Sequence, residues 1–144
     1  FTLNYDGMSR LLPTVDEQLD RLIERRYHHT MDERKFDGLP IAGRFCGRQL
    51  LTCLPEFHAP PAAIGSSDWV VHPGERGYLR DTETFLKFMI YTIQDALRAD
   101  PELNQTRFAE WIDTRYSQVD NHTLTLIAHQ LDFFGRLQHD VTPP

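Results

Sequence analysis

Apolar and polar positions along this chain follow two periods. Phe1, Leu3 and Tyr5 alternate with Thr2 and Asn4, the pattern of a strand with one buried face, and Asp6-Gly7 supplies turn chemistry after it. Thr14-Val15-Asp16-Glu17 reads as a capping box, in which the Thr14 hydroxyl accepts from the Glu17 backbone N–H and Glu17 reaches back. From there Val15, Leu19, Leu22, Ile23, Tyr27 and Met31 form one stripe, which predicts an amphipathic helix from about Val15 to Arg34. Gly38, Pro40 and Gly43 make Lys35 to Gly43 a loop, and Arg44 to Leu54 is a second, shorter helix ended by Pro55.

Phe57 to His72 is extended, although Pro60-Pro61 cannot donate to a ladder at its beginning, and Gly65 marks a bulge. A third helix runs from about Glu83 to Arg98, capped by Asp81 or Thr82. Its apolar residues cover well over half its circumference, so it is expected to be largely buried. Asn104 caps a fourth helix carrying Phe108, Trp111, Ile112, Tyr116 and Val119. Thr123 to Phe134 is the last strand, ended by Gly135, and Asp140 to Pro144 is a frayed tail. Three strands cannot close a barrel. The expectation is an α/β domain: a small mixed three-stranded sheet with about four helices on its faces, part of a larger sheet. No repeat or linker divides it, so residues 1–144 form a single domain.

Composition narrows the function classes. The net charge of −6 is spread along the chain with no basic stripe, which argues against nucleic acid as a partner. No apolar run approaches the roughly 18 residues of a membrane span, so no membrane partner is expected. Cys46 and Cys53 fall seven residues apart in one predicted helix, too far for a bridge there. Two reduced thiols suit a cytoplasmic location. The opening residues read as a strand already under way, so the chain is expected to continue a longer polypeptide.

Several residues invite chemistry. His28 and His29 are helical neighbours pointing about 100° apart, so they cannot hold one ion together. Asp32 can join His28, and Glu33 can join His29, but a two-ligand site is incomplete, and no metal is expected. Ser66-Ser67-Asp68 lacks a nucleophile elbow, and His72 lies too far along the same strand face to complete a triad. His129, Gln130 and Asp132 are polar among apolar neighbours and need hydrogen-bond partners. Asn4-Tyr5-Asp6 places an amide, a phenol and a carboxylate at a strand's carboxyl edge, where open α/β sheets bind ligands.

Three blocks, Phe1-Thr2-Leu3-Asn4-Tyr5-Asp6-Gly7, Gly65-Ser66-Ser67-Asp68-Trp69-Val70-Val71 and Leu126-Ile127-Ala128-His129-Gln130-Leu131-Asp132-Phe133, together resemble the carboxyl-terminal half of a poorly characterised bacterial and archaeal group of class I S-adenosylmethionine-dependent methyltransferases. The resemblance implies a Rossmann-like sheet of which Phe1–Tyr5, Ala62–His72 and Thr123–Phe134 are the fifth, sixth and seventh strands, the seventh antiparallel between the other two. Helical cap insertions at about 8–43 and 73–121 then shape the acceptor pocket. The donor site of that family lies in its first half, so no cofactor-binding residue carries over to this chain. The implied activity is transfer of a methyl group from S-adenosylmethionine to a small-molecule acceptor, with this segment inactive alone. Asn4 and Tyr5 are candidates for positioning, and Asp6 for acceptor contact or base. His28 or His29 are alternative bases, and Trp69 and His72 are pocket-lining residues. A homo-dimer through the open strand edge is a possible assembly. A non-catalytic binding or assembly module is the competing expectation, and it requires a closed, satisfied edge at Phe1–Tyr5.

Overall fold

In the computed structural model the described residues are 2–41 and 43–136, with only the backbone described for residues 2–4 and 8. The elements in chain order are β1 (Thr2–Leu12), α1 (Glu17–Asp32), β2 (Lys35–Phe36), β3 (Leu39–Pro40), α2 (Cys46–Glu56), β4 (Pro61–Val71), α3 (Thr82–Leu97), α4 (Gln105–Asp120) and β5 (Thr125–Gly135). The three long strands make a sheet of order β1-β5-β4, with β5 antiparallel to both neighbours, so β1 and β4 run parallel to each other. The expected tail at Asp140 to Pro144 lies outside the described residues.

β5 organises both faces of the sheet. Its buried residues are Leu126 and Ala128 in the first half and Phe133 in the second. Side chains alternate faces along a strand, so the step from 128 to 133 moves burial to the opposite face. Leu126 lies between Leu11 and Val71 in the register and joins the main core with α1, α3 and α4. On the other face α2 packs on all three long strands and leaves Ile64 and Val70 of β4 exposed.

The main core is a helix stack against one half of the sheet. α3 contributes Leu86, Ile90, Ile93 and Leu97, a buried stripe at helical spacing, and α4 contributes Trp111 and Ile112 among others. Each such side chain stabilises the fold by about 1.5–3 kcal/mol when fully buried. α3 is not buried all round, contrary to its composition: Phe88 and Tyr91 are 60% and 54% exposed, because α1 and α4 cover only one side of it.

Local chemistry moved several boundaries. β1 does not end at Asp6-Gly7; it continues to Leu12 through an irregularity between Tyr5 and Ser9. Gly7 sits at φ +72°, and a Cβ there would come within 2.4 Å of the Phe45 ring, so the backbone bulges where only glycine fits. The cap of α1 is Asp16, not Thr14: its carboxylate accepts from Leu19 N at 2.8 Å, while Asp20 takes the Val15 N–H at 3.1 Å. A carboxylate both satisfies an orphan donor and meets the positive helix end. Lys35 to Gly43 is not plain loop; β2 and β3 pair around Asp37-Gly38, whose φ values of 51° and 77° fit a two-residue hairpin turn. α2 runs on through Pro55 to Glu56, since a proline in the last turn forfeits only one N–H. Gly65 is in register with Asp132, and the irregularity of β4 falls between Pro61 and Ala63 instead.

Candidate functional site

A cavity of about 730 Å³ lies between the core face of the sheet and the helices α1, α3 and α4. Its walls are mostly apolar, with Trp69 of β4 and Phe85 of α3 in tilted contact at 5.0 Å between ring centroids. The polar groups gather where β1 meets α1. There Tyr5 Oη and His28 Nε2 are 2.6 Å apart, Ser9 Oγ lies 3.4 Å from the phenol, and Glu24 and Gln130 line the same cavity.

The backbone explains the pairing. Tyr5 and Ser9 flank the bulge of β1, and both keep their side chains on the core face. His28 is one helical turn beyond Glu24, on the inward side of α1, and is 5% exposed. Burial pushes the Tyr5 phenol up to about 12 and draws the His28 imidazole below its usual 6.5. Both groups are therefore uncharged at neutral pH, and His28 has a lone pair to offer.

The sequence-derived candidates separate cleanly. Tyr5, His28 and Trp69 meet at this cavity. His29 does not: its side chain is on the outer face of α1, 3.2 Å from Glu33. Asp6 is turned to the other face of the sheet by the bulge, where Arg48 of α2 donates from its backbone N, Nε and Nη2 at 3.2, 2.9 and 2.7 Å. Both carboxylate oxygens are occupied, and Arg48 holds the carboxyl below its usual range. Asp6 thus anchors α2 to β1 rather than meeting a ligand in the cavity. His72 bonds Thr125 Oγ1 through Nδ1 at 2.7 Å and lines a smaller hollow of about 320 Å³ at the end of β4. Asn4 supplies backbone opposite Leu131, and its side chain lies outside the described residues.

The remaining polar residues have structural partners. Ser67 donates to Asp132 at 3.1 Å, and His129 pairs with Asp68 at 3.1 Å, so Ser67 and Asp68 belong to different hydrogen bonds. Asp32 bonds Arg44 rather than His28. Among the described residues no group of three or more His, Cys, Asp or Glu side chains is placed to hold a metal ion. Both cysteines are free thiols.

Asp6 yields a pH prediction. Its folded pKa is depressed, so the stability it contributes is present above the ordinary carboxyl value of 3.8 and is lost as pH falls through the folded one. Urea unfolding at pH 6 is expected to find Asp6→Asn less stable than the parent by about 1–2 kcal/mol, a modest figure because Arg48 is half exposed. The gap is expected to narrow below pH 3.8 and to close once pH has fallen through the lowered folded value. A gap that persists there would show that the ion pair is not its source.

Ser9, Glu24 and Phe85 are part of the cavity wall that sequence reasoning missed. Glu24 had a usable signal, since it precedes His28 by one helical turn; Phe85 had none beyond apolarity. No protein-family model, curated protein or solved structure matches this chain.

Proposed function

We propose that this chain is the carboxyl-terminal segment of a Rossmann-like S-adenosylmethionine-dependent methyltransferase and supplies the pocket for a small-molecule acceptor. The observation that carries the reading is the sheet: two parallel strands separated by an antiparallel third in the order β1-β5-β4, with a helical layer enclosing a cavity on one face. That is the arrangement the resemblance implies for strands five to seven. Among the described residues β1 is paired on one side only, as expected of a strand with a further neighbour and not of a closed assembly module.

The described residues do not offer a site for the donor. The glycines with positive φ sit in the β1 bulge, the β2–β3 turn and a short bridge at Gly74–Gly77, not in a phosphate-cradling loop before a helix. The cavity carboxylates Glu17, Asp20 and Glu24 are each paired with an arginine. In this reading the donor is held by elements outside residues 1–144, and it supplies an activated methyl group on sulfur. The work left to this chain is to exclude water, align the acceptor and take its proton. Tyr5 Oη orients the acceptor, and His28 Nε2 receives the proton, directly or through the phenol.

The test is calorimetric titration of S-adenosylhomocysteine into the full-length polypeptide, with residues 1–144 titrated in parallel. Binding by the full-length protein alone is expected. Binding by neither overturns the methyltransferase reading, and binding by residues 1–144 overturns the placement of the donor site.

A further inference from the structure

The charge pattern of the cavity points to the class of molecule it accepts. Six formally charged side chains line it: Arg10, Arg21 and Arg115, with Glu17, Asp20 and Glu24. They are matched one to one. Arg10 pairs with Glu24 at 2.5 Å, Arg115 with Asp20 at 2.7 Å, and Arg21 with Glu17 on the same helix face. Asp20 is further occupied by the Trp111 indole N–H. Each charge already has its counter-ion in the wall, Arg115 Nε being the one N–H among them that is buried without a partner, so a ligand that carried a charge into the cavity would meet no uncompensated charge there.

The polar capacity that does face the cavity is neutral and grouped at one end. Tyr5 Oη and His28 Nε2 share one hydrogen bond, and the Gln130 amide, from the position opposite Tyr5 in the sheet, adds a donor and an acceptor beside them. The part of the wall formed by β4 and α3 presents Trp69, Phe85, Met89 and Ile93, an aromatic and thioether surface suited to flat rings. A volume of about 730 Å³ is that of a pocket for a molecule of several rings.

We infer that the cavity binds an uncharged, largely apolar aromatic molecule carrying a hydroxyl group, with the hydroxyl at the Tyr5–His28 end and the rings against Trp69 and Phe85. This rests on the reading of the cavity as the acceptor pocket, and it names the acceptor class as a phenol or aryl alcohol. The neutrality of the Tyr5–His28 pair supports it, since with Nε2 engaged in the shared bond Tyr5 Oη still accepts from a ligand hydroxyl, and the Gln130 amide beside it supplies the complementary donor.

Three matched probes test it by calorimetry on the full-length polypeptide: 4-phenylphenol, biphenyl-4-carboxylate and the ammonium form of biphenyl-4-ylmethanamine. The phenol is expected to bind at least about tenfold tighter than either charged probe, the penalty of an unpaired buried charge. Tyr5→Phe, which keeps the ring and removes the hydroxyl, is expected to weaken the phenol about three- to tenfold and leave the charged probes unchanged. His28→Gln, checked for folding by circular dichroism, is expected to act in the same direction. A charged probe that equals the phenol, no phenol binding, or a phenol affinity indifferent to both substitutions would overturn the inference. S-adenosylhomocysteine titrated into the same preparations separates the two ideas: if it binds while the phenol fails, the acceptor class falls and the methyltransferase reading stands. If it fails to bind, that reading falls whatever the probes do.

Discussion

Arg115→Met is expected to lower the stability of the domain by about 3 kcal/mol and its melting temperature by roughly 6–12 °C. Arg115 is 1% exposed and ties three elements together. Its Nη1 donates to the Pro13 carbonyl after β1 and to Gln118 on α4, and its Nη2 meets Asp20 of α1 at 2.7 Å. The guanidinium also lies over the Trp111 ring at 4.8 Å. Methionine fills much of the volume but leaves the Asp20 carboxylate with two neutral donors, the Trp111 indole N–H and the Val15 backbone N–H, and no counter-charge, and the Pro13 carbonyl without this donor. The cost stays near the lower end for a broken buried pair because Asp20 retains 20% exposure. Arg115 also bears a cost of its own: Nε is buried without a partner, and burial draws the guanidinium pKa down. Pairing the substitution with Asp20→Asn is therefore expected to recover part of the loss, giving a coupling above about 1 kcal/mol in a double-mutant cycle. Additive single losses would mean that Arg115 acts through packing on Trp111 and not through its charge.

That network shows where reading the sequence stops. Trp111 and Arg115 are visibly one turn apart on α4, and Asp20 lies on the first turns of α1, yet nothing in 95 residues of separation says that the three converge. The three long strands and four helices were legible because each follows its own local period. The order of the sheet came from the resemblance, not from the periods. The Asp6-Gly7 pair encodes a turn and a bulge equally well; the choice falls to Phe45, which packs where a side chain on Gly7 would be, and to Arg48, which draws Asp6 away from the core face. Helical geometry required His28 and His29 to part, but it did not say which one faces inward. The answer depends on α3 and the sheet, which lie across the cavity from α1. No helix among the described residues is long and apolar enough to cross a membrane, which agrees with the hydropathy of the chain.

In the proposed reaction, His28→Ala is expected to slow turnover of the full-length enzyme by about 10²–10⁴-fold, the usual contribution of a positioned proton acceptor, whereas His29→Ala leaves it unchanged. The two substitutions remove the same group from adjacent positions, one inside the cavity and one on the outer face of α1. Their comparison therefore isolates location. The pH dependence separates a chemical role from a structural one. Burial lowers the folded pKa of His28 below 6.5, so the imidazole is a free base throughout the neutral range. The rate is expected to be level above pH 7 and to fall as pH drops through that lowered value; the stability that neutral His28 contributes is present above 6.5 and is lost in the same direction. Because both effects share a sign, rates belong below the onset of acid unfolding, followed by circular dichroism in the same buffers. His28→Ala then loses the acid limb along with the rate, and Tyr5→Phe keeps the limb but shifts it, since the imidazole no longer shares the phenol 2.6 Å away. An acid limb that survives His28→Ala would assign the proton to another group, and the dyad would be left with binding alone.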